Sequence, residues 1–228
     1  MTGVYLISML FGAIGMFVSW RLKSKFKEYS EIGLANGLSG QEIAERMLHD
    51  NGIYDVRILS VDGQLSDHYN PSDKTVNLSA DVYYGRSAAA AAVAAHECGH
   101  AVQHAKAYSF LQLRSTLVPA LNIANNFTPM LLMIGVMVLY STGSKLLLMI
   151  GVALFAMATL FSFVTLPVEF DASSRALKWM EERNITTPKE HEMAKDALKW
   201  AASTYVVAAL GMLAQLLYYV NLLNRKND

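Results

Sequence analysis

Four long segments without a charged residue constrain the fold of this 228-residue chain more than any other feature. They contain 20, 30, 23 and 25 residues, and each is rich in aliphatic and aromatic side chains. An α-helix needs about 20 mostly apolar residues to cross the hydrocarbon core of a bilayer, so each segment is long enough to span a membrane. We predict four transmembrane helices, near residues 3–20, 120–141, 146–166 and 202–223.

The positions of the basic residues predict the orientation of these helices. Residues 21–116 contain ten Lys or Arg and residues 167–200 contain six, whereas the turn after the second helix has only Lys145 and the tail has Arg225 and Lys226. Because cytoplasmic loops are enriched in Lys and Arg, we expect both polar segments in the cytoplasm and both termini outside. The pattern indicates a multi-pass protein of the plasma membrane.

The first apolar segment has the pattern of a membrane anchor. Its basic residues begin with Arg21, after the segment, and none precedes it. A cleaved signal peptide has basic residues first and a small-residue cleavage site after its apolar stretch. We therefore expect residues 1–20 to remain in the membrane.

A short motif predicts metal chemistry in the first polar segment. Residues 96–100 are His-Glu-Cys-Gly-His, and the alanine-rich run from Ala88 to Ala95 leads into them. Two histidines four residues apart on a helix point the same way, so His96 and His100 can bind one zinc ion. Glu97 lies about 100° round the helix, where it can contact water at the metal. The motif is the core of a zinc hydrolase, although helix-surface histidines without a metal give the same five letters.

Catalytic zinc usually has three protein ligands, so the motif needs a third. His104 continues the same helix face, but it lies about 12 Å along the axis from His96, which is too far for both to bind one ion. Glu169 follows Pro167 at the end of the third apolar segment, where a charge is costly unless it is used or solvated. Glu169 is therefore the better candidate, and the alternative is a carboxylate that reaches out to the membrane surface.

The soluble residues predict a mainly α-helical fold with a small β-sheet. Residues 55–61 alternate like a strand, and Asp62-Gly63 is a hairpin turn signal. Lys74 to Ser79 alternates as a half-buried strand, which we expect to pair with the main chain of an extended substrate.

Helix boundaries are also marked in the sequence. Ser39 to Glu42 and Thr187 to Glu190 match the capping-box pattern, and Ser87 is an expected N-cap for a helix over 88–106. The single cysteine, Cys98, excludes an internal disulfide. It lies on the other flank of the helix from His96 and His100, so we expect a buried thiol and no metal ligand.

Three stretches together resemble the YugP-like family of bacterial membrane zinc metallopeptidases, a gluzincin-type group. They are residues 65–82 with Asp67-His-Tyr-Asn-Pro, residues 96–104, and residues 167–176. The resemblance implies a zincin-like peptidase domain with one zinc ion per chain, bound by His96, His100 and Glu169, with Glu97 as the catalytic base.

The resemblance leaves the groups that orient the imidazoles open. Related gluzincins often carry an Asp four residues after the ligand glutamate, where this chain has Ser173. The nearest acid is Asp171, which either orients a zinc-bound imidazole or forms a salt bridge with Arg175. Ser173 and His104 are the other candidates for a supporting role beside the site.

The expected organisation has five parts. They are an anchor (1–20), a soluble part with the motif helix (21–116), two transmembrane helices (117–166), a helical segment with the third ligand (167–200), and a last transmembrane helix with a tail (201–228). Because the motif follows the first span and Glu169 follows the third, both lie on one side of the bilayer. A site assembled from both is therefore permitted.

The leading functional hypothesis is a membrane-bound zinc metalloendopeptidase that acts on peptides or membrane proteins. The alternatives are a zinc-dependent amidase or other hydrolase with a non-peptide substrate, and a catalytically silent scaffold that binds membrane proteins. A formal net charge of zero gives no reason to expect nucleic acid as a partner. The sequence leaves the oligomeric state undetermined, and it does not choose an oxyanion-stabilising residue among Tyr83, Tyr84, Arg175 and His191.

Overall fold

A computed structural model describes residues 2–63 and 65–224. Arg225 and Lys226, which were counted in the charge distribution, lie outside the described residues. The chain is mainly α-helical with one small β-sheet, as the sequence predicts. In chain order the elements are α1 (Thr2–Ser30), α2 (Gly40–Asp50), β1 (Arg57–Val61), β2 (His68–Asn70), β3 (Thr75–Ser79), α3 (Ala80–Tyr83), α4 (Ala88–Ala105), α5 (Ser109–Thr142), α6 (Leu146–Glu182) and α7 (Pro188–Asn224).

Four helices, α1, α5, α6 and α7, are long and apolar enough to cross a membrane. Within the described residues these four candidate spans match the predicted number of transmembrane helices. All four are longer than the apolar segments that identified them; α6, for example, continues to Glu182. Hydropathy marks the part of a helix that suits lipid, whereas backbone hydrogen bonding continues as long as the following residues favour a helix.

The chain divides into two compact units. The bundle unit comprises Met1–Phe17, Leu113–Leu166 and Thr204–Asp228, and the site unit comprises Val18–Gln112 and Pro167–Ser203. Within the bundle unit, α5 and α6 approach closely at two glycines. A Cβ on Gly135 would lie 2.6 Å from the Leu148 Cα, and one on Gly151 would lie 3.1 Å from the Leu132 nitrogen. Small residues of this kind let membrane helices pack backbone to backbone.

Helix α4 lies in the core of the site unit. Every alanine from Ala88 to Ala95 is buried, and Cys98 is fully buried, as the sequence predicts. The Cys98 Sγ lies 3.6 Å from the Ala44 carbonyl oxygen of α2. On another side of α4, Gly99 lies directly against the backbone of Ala172 in α6. The small side chains of α4 therefore let two other helices come close to it.

The predicted helix caps are confirmed. Both boxes, Ser39–Glu42 and Thr187–Glu190, have their two reciprocal hydrogen bonds. The Ser87 hydroxyl accepts a hydrogen bond of 3.2 Å from the Ala90 N–H. These side chains satisfy N–H groups that the first turn of a helix leaves without backbone partners.

The hairpin expected at Asp62-Gly63 is wrong. The strand order is β1-β3-β2, with β1 parallel and β2 antiparallel to β3. Gly63 does adopt a positive φ of 99°, so the chain turns there, but the strands on either side do not pair with each other. The hairpin instead joins β2 to β3, where the Asn70 Oδ1 accepts a hydrogen bond from the Ser72 N–H. The residues Asp62 and Gly63 are enough to indicate a turn, whereas the strand with which β1 pairs depends on residues that are distant in the sequence.

Strand β3 is buried on both faces, so the half-buried prediction is also wrong. Its polar side chains are covered and satisfied: the Asn77 amide donates to the Thr75 hydroxyl, and both the N–H and the hydroxyl of Ser79 donate to Asp67. Burial raises the pKa of Asp67 in spite of these bonds. Because β3 is central, its main chain is already paired with β1 and β2. The expected pairing of β3 with a substrate is therefore wrong as well.

We expect the substitution Gly99→Ala to destabilise the site unit. The added Cβ would lie 2.5 Å from the Ala172 carbonyl oxygen, a backbone atom that moves only if α6 moves. Overpacking costs about 1–3 kcal/mol, which exceeds the gain of about 1 kcal/mol in helix propensity. Thermal unfolding of the purified protein in detergent should show a lower midpoint. The control is Gly12→Ala in α1, which has nothing within 4 Å and should unfold at or above the wild-type temperature. Equal midpoints for the two variants would contradict this packing argument.

Candidate metal centre

Helix α4 presents His96 and His100 from the same side. The two ring centroids are 4.8 Å apart and the ring planes are nearly perpendicular, at 81°. His100 is buried, with 8% of its surface exposed, and His96 is partly buried. The alanine-rich first half of α4 has high helix propensity and is fully packed, so the two rings project from a firmly held backbone.

Helix α6 brings Glu169 to these rings. The Glu169 Oε2 lies 3.4 Å from the His96 Nε2 and 3.7 Å from the His100 Nε2. Glu169 is only 4% exposed, so its carboxylate lies in the interior of the site unit. The structure thus brings together the three residues that the sequence proposed as metal ligands.

The donor set and the two carboxylate–imidazole distances suit a zinc ion. The three ligand atoms lie within 4.8 Å of one another. Four bonds of about 2.0–2.2 Å in a tetrahedron place ligand atoms about 3.3–3.6 Å apart, and the two carboxylate–imidazole distances are close to this range. Two imidazole nitrogens and one carboxylate oxygen are also a common protein ligand set of catalytic zinc. A divalent cation in this position would offset the cost of burying the carboxylate.

The residues around His100 also shift the pKa of its ring. Burial lowers the pKa of the His100 ring, but the contact with Glu169 and the charge of Glu97 raise it more, so the pKa lies above its ordinary value. The upward direction of this shift has a simple cause, since the negative charges of the two carboxylates stabilise the positive form of the ring.

Glu97 is fixed by the sheet. Its Oε2 accepts a hydrogen bond of 3.0 Å from the backbone N–H of Tyr69 in β2. Glu97 is 8% exposed, and it lies on the same helix as the two histidines. The contact holds one carboxylate oxygen in place and joins β2 to the helix that carries His96 and His100.

Each imidazole has a partner on its second nitrogen. The His96 Nδ1 lies 3.1 Å from the Ser173 hydroxyl, and the His100 Nδ1 lies 3.0 Å from the Gln103 Oε1. A hydrogen bond on one ring nitrogen fixes the ring orientation and directs the other nitrogen at the metal. Ser173 was one of the sequence candidates for a supporting role, and the structure places it against His96.

Asp171 interacts with two side chains, those of Arg175 and Gln103. It forms a salt bridge with Arg175, with an Nε to Oδ2 distance of 2.5 Å, and it accepts a hydrogen bond of 2.8 Å from the Gln103 Nε2. The salt bridge suggested by the sequence is therefore present, while the link to an imidazole runs through Gln103.

His104 contacts a residue outside the cluster of His96, His100 and Glu169. Its Nδ1 lies 2.8 Å from the Tyr69 hydroxyl, and the side chain is exposed.

The residues considered as oxyanion stabilisers have different partners in the structure. Tyr83 and Tyr84 stack edge to face with centroids 4.8 Å apart. Arg175 pairs with Asp171 and lies 5.8 Å from the Tyr108 ring centroid. The His191 Nδ1 is buried and has no hydrogen-bond partner among the described residues. The oxyanion-stabilising residue stays a prediction without a choice among the four.

Sequence reasoning missed two residues, Gln103 and Tyr69. Gln103 is three residues after His100, a helical spacing that could have suggested contact with its ring. Tyr69 supports Glu97 through its backbone, so its side-chain type carries no signal of that role. Only the pairing of β2 with the sheet brings it there.

Known proteins provide an independent comparison. A family model described as "Putative neutral zinc metallopeptidase" matches residues 4–224. The chain is 41% identical over 216 residues to the "Putative membrane protease YugP" of Bacillus subtilis (strain 168), a match that covers 94% of each chain. No solved structure matches. The family match includes every residue of the cluster.

Metal analysis of purified protein should separate the three clustered residues from His104. We expect His96→Ala and Glu169→Ala each to lose at least about tenfold in zinc affinity, because catalytic zinc needs three protein ligands. His104→Ala changes a histidine on the same helix that bonds Tyr69 instead, and it should keep the wild-type zinc content. Full zinc in Glu169→Ala together with loss in His104→Ala would show that the ligand set is different.

Proposed function

The chain belongs to the family described as "Putative neutral zinc metallopeptidase", and we propose that it is a membrane-bound zinc endopeptidase. The observation that carries this proposal is the convergence of two imidazole nitrogens and a buried carboxylate, where the helix that carries the imidazoles also carries the buried Glu97. Four membrane-spanning helices make it a membrane protein.

In this proposal His96, His100 and Glu169 hold one zinc ion per chain. When bound, zinc acts as a Lewis acid that makes a water molecule more acidic and polarises the peptide carbonyl. The hydrogen bonds on the Nδ1 atoms leave both Nε2 atoms available to the metal. The low exposure of His100 and Glu169 keeps competing water away from these ligands.

Glu97 acts as the general base. It takes a proton from the attacking water and gives that proton to the leaving amine as the peptide bond breaks. The Tyr69 N–H binds the Glu97 Oε2 and so restrains the position of the carboxylate. A base held in this way is already placed when the substrate arrives, which reduces the entropic cost of reaching the transition state.

The position of Glu97 favours an enzyme over a scaffold. A buried carboxylate is costly, and a protein that only binds partners gains nothing from placing a second one beside a metal ligand set. A zinc hydrolase with a non-peptide substrate would use the same groups, so the choice between the two enzymes depends on the substrate that is cleaved.

Glu97→Gln should abolish cleavage of unfolded proteins and peptide libraries while zinc content is unchanged. Removal of a general base costs about 10²–10⁴ in rate, and the amide cannot take the proton. The matched control is Glu192→Gln on the exposed surface of α7, which should cleave like wild type. If wild type leaves every peptide intact but hydrolyses small amides, the proposal of an endopeptidase is wrong. If zinc-loaded wild type cleaves neither, the scaffold hypothesis is favoured.

We propose further that the chain lies in the plasma membrane with the site unit in the cytoplasm. The basic residues of the site unit support this orientation under the positive-inside rule. Two apolar stretches, that of α5 and the part of α6 before Glu169, lie between His96 and Glu169 in the chain, so two crossings would place both residues on the same side.

Single introduced cysteines test the orientation. Ser72 lies in the β2–β3 turn and Ser144 in the turn between α5 and α6, and both are exposed. An impermeant maleimide on intact cells should label Ser144→Cys, and it should label Ser72→Cys only after permeabilisation. The native Cys98 has no exposed surface and should stay unlabelled, so the unmodified chain gives the background. The reverse pattern would invert the orientation, and labelling of both in intact cells would contradict the number of spans between them.

A further inference from the structure

Gln103 is a fully buried amide at the centre of a hydrogen-bond chain. It lies on α4, three residues beyond His100, and none of its surface is exposed. Its Oε1 lies 3.0 Å from the His100 Nδ1. Its Nε2 donates to the Val168 carbonyl oxygen at 2.7 Å and to the Asp171 Oδ2 at 2.8 Å. Both N–H groups of the amide are therefore used, together with one lone pair of its oxygen.

The partners of the nitrogen determine the orientation of this amide. A backbone carbonyl and a carboxylate can only accept hydrogen bonds, so the NH₂ group must face Val168 and Asp171. The reversed amide would set its oxygen 2.7 Å from the Val168 oxygen and 2.8 Å from the Asp171 Oδ2, with no hydrogen in either contact. The network therefore assigns the oxygen to the side of His100.

This orientation dictates the tautomer of His100. An amide oxygen accepts and cannot donate, so the His100 Nδ1 must carry the hydrogen that joins them. The lone pair of the neutral ring is then on Nε2, the nitrogen that lies 3.7 Å from Glu169. That is the form of histidine that binds a metal through Nε2.

The same side chain also connects the two ligand-bearing helices. Val168 directly precedes Glu169 in α6. The hydrogen bond from Gln103 to the Val168 carbonyl oxygen therefore joins α4 to α6 next to Glu169. Asp171 is held in turn by Arg175. A chain of bonds thus runs from Arg175 through Asp171 and Gln103 to the His100 ring, and it ties α4 to α6.

From this network we infer that Gln103 is a positioning residue for the zinc site. It selects the Nδ1–H tautomer of His100, and it sets the separation between the imidazoles of α4 and the carboxylate of α6. The inference rests on the proposed zinc site, and it concerns metal affinity before catalysis. Loss of a partner of this kind typically weakens metal binding about 10–100-fold.

Zinc affinity of the purified full-length protein, measured by competition with a chelator, is the first test. Gln103→Met has a similar volume and no hydrogen-bonding amide, and it should bind zinc about 10–100-fold more weakly. At saturating zinc, peptide cleavage should recover at least in part, because Glu97 is untouched. The control is Gln41→Met in α2, which should keep wild-type affinity. Wild-type affinity in Gln103→Met, or an equal loss in Gln41→Met, would overturn the inference.

A pair of charge variants separates the hydrogen-bond chain from packing alone. Gln103→Glu can accept from His100 but cannot donate to Asp171, which it repels, so its zinc affinity should fall. Adding Asp171→Asn supplies an N–H to the new carboxylate and removes the repulsion between the two side chains, while the Val168 carbonyl oxygen still lacks its hydrogen bond from residue 103. The double variant should therefore regain part of the lost affinity, about tenfold over Gln103→Glu. No gain in the double variant would contradict the chain from Asp171 to His100. This comparison remains decisive even if Gln103→Met does not fold.

A spectroscopic measurement needs no variant at all. In zinc-loaded protein with ¹⁵N-labelled histidine, the His100 Nδ1 should carry a proton that exchanges slowly with water, since its acceptor is buried. An unprotonated Nδ1 would overturn the tautomer assignment. A failure of the proposed zinc site would be recognised by a separate result, because the wild-type protein would then bind no zinc. Wild type that binds zinc, with the same affinity in Gln103→Met, would refute only the role of Gln103.

Discussion

A buried carboxylate between two imidazoles is the interaction on which the rest of the site unit depends. An ionised carboxylate loses a large hydration energy on burial, and it is stable inside a protein only with charged or strongly hydrogen-bonding partners. Glu169 meets that requirement through contacts with His96 and His100 on another helix. The contacts require α4 and α6 to approach backbone to backbone, which Gly99 and Ala172 allow. The small side chains of α4 are therefore needed for two reasons. They let the core of the site unit pack, and they let Glu169 reach the two imidazoles.

The membrane imposes the second constraint. Backbone groups in lipid must be satisfied within the chain, so the spans are helical. Such a helix can continue past its apolar part at no extra cost in hydrogen bonding. The site unit makes use of this continuity, because it contains residues of α1, α6 and α7 beyond those assigned to the bundle unit. Glu169 is thus carried by a helix whose existence the bilayer already requires.

Sequence alone predicts the parts of this structure that local rules determine. The spans follow from hydropathy, the capping boxes from the Ser39–Glu42 and Thr187–Glu190 spacings, and the direction of His96 and His100 from helical periodicity. Glu169 needed an argument about the cost of a charge beside an apolar run, supported by the family resemblance. The order of the strands and the burial of β3 were mispredicted, because alternation shows a strand's faces but not which strands or loops cover them. The support of Glu97 by a backbone N–H was likewise beyond any residue pattern.

The electrostatics of the site explain why an amide stands between Asp171 and His100. With a divalent cation bound, the charges of Glu97 and Glu169 balance it, and the two imidazoles are neutral. A carboxylate placed directly on the His100 ring would add an uncompensated negative charge to this buried group. Gln103 offers the ring an acceptor without a charge, while Asp171 holds the amide and is itself neutralised by Arg175. Ser173 serves His96 in the same way, as a neutral partner where related enzymes often carry an acid. Gln103 and Ser173 are thus consistent with one principle, in which neutral dipoles orient the imidazoles and Glu97 and Glu169 are the charged groups of the proposed site.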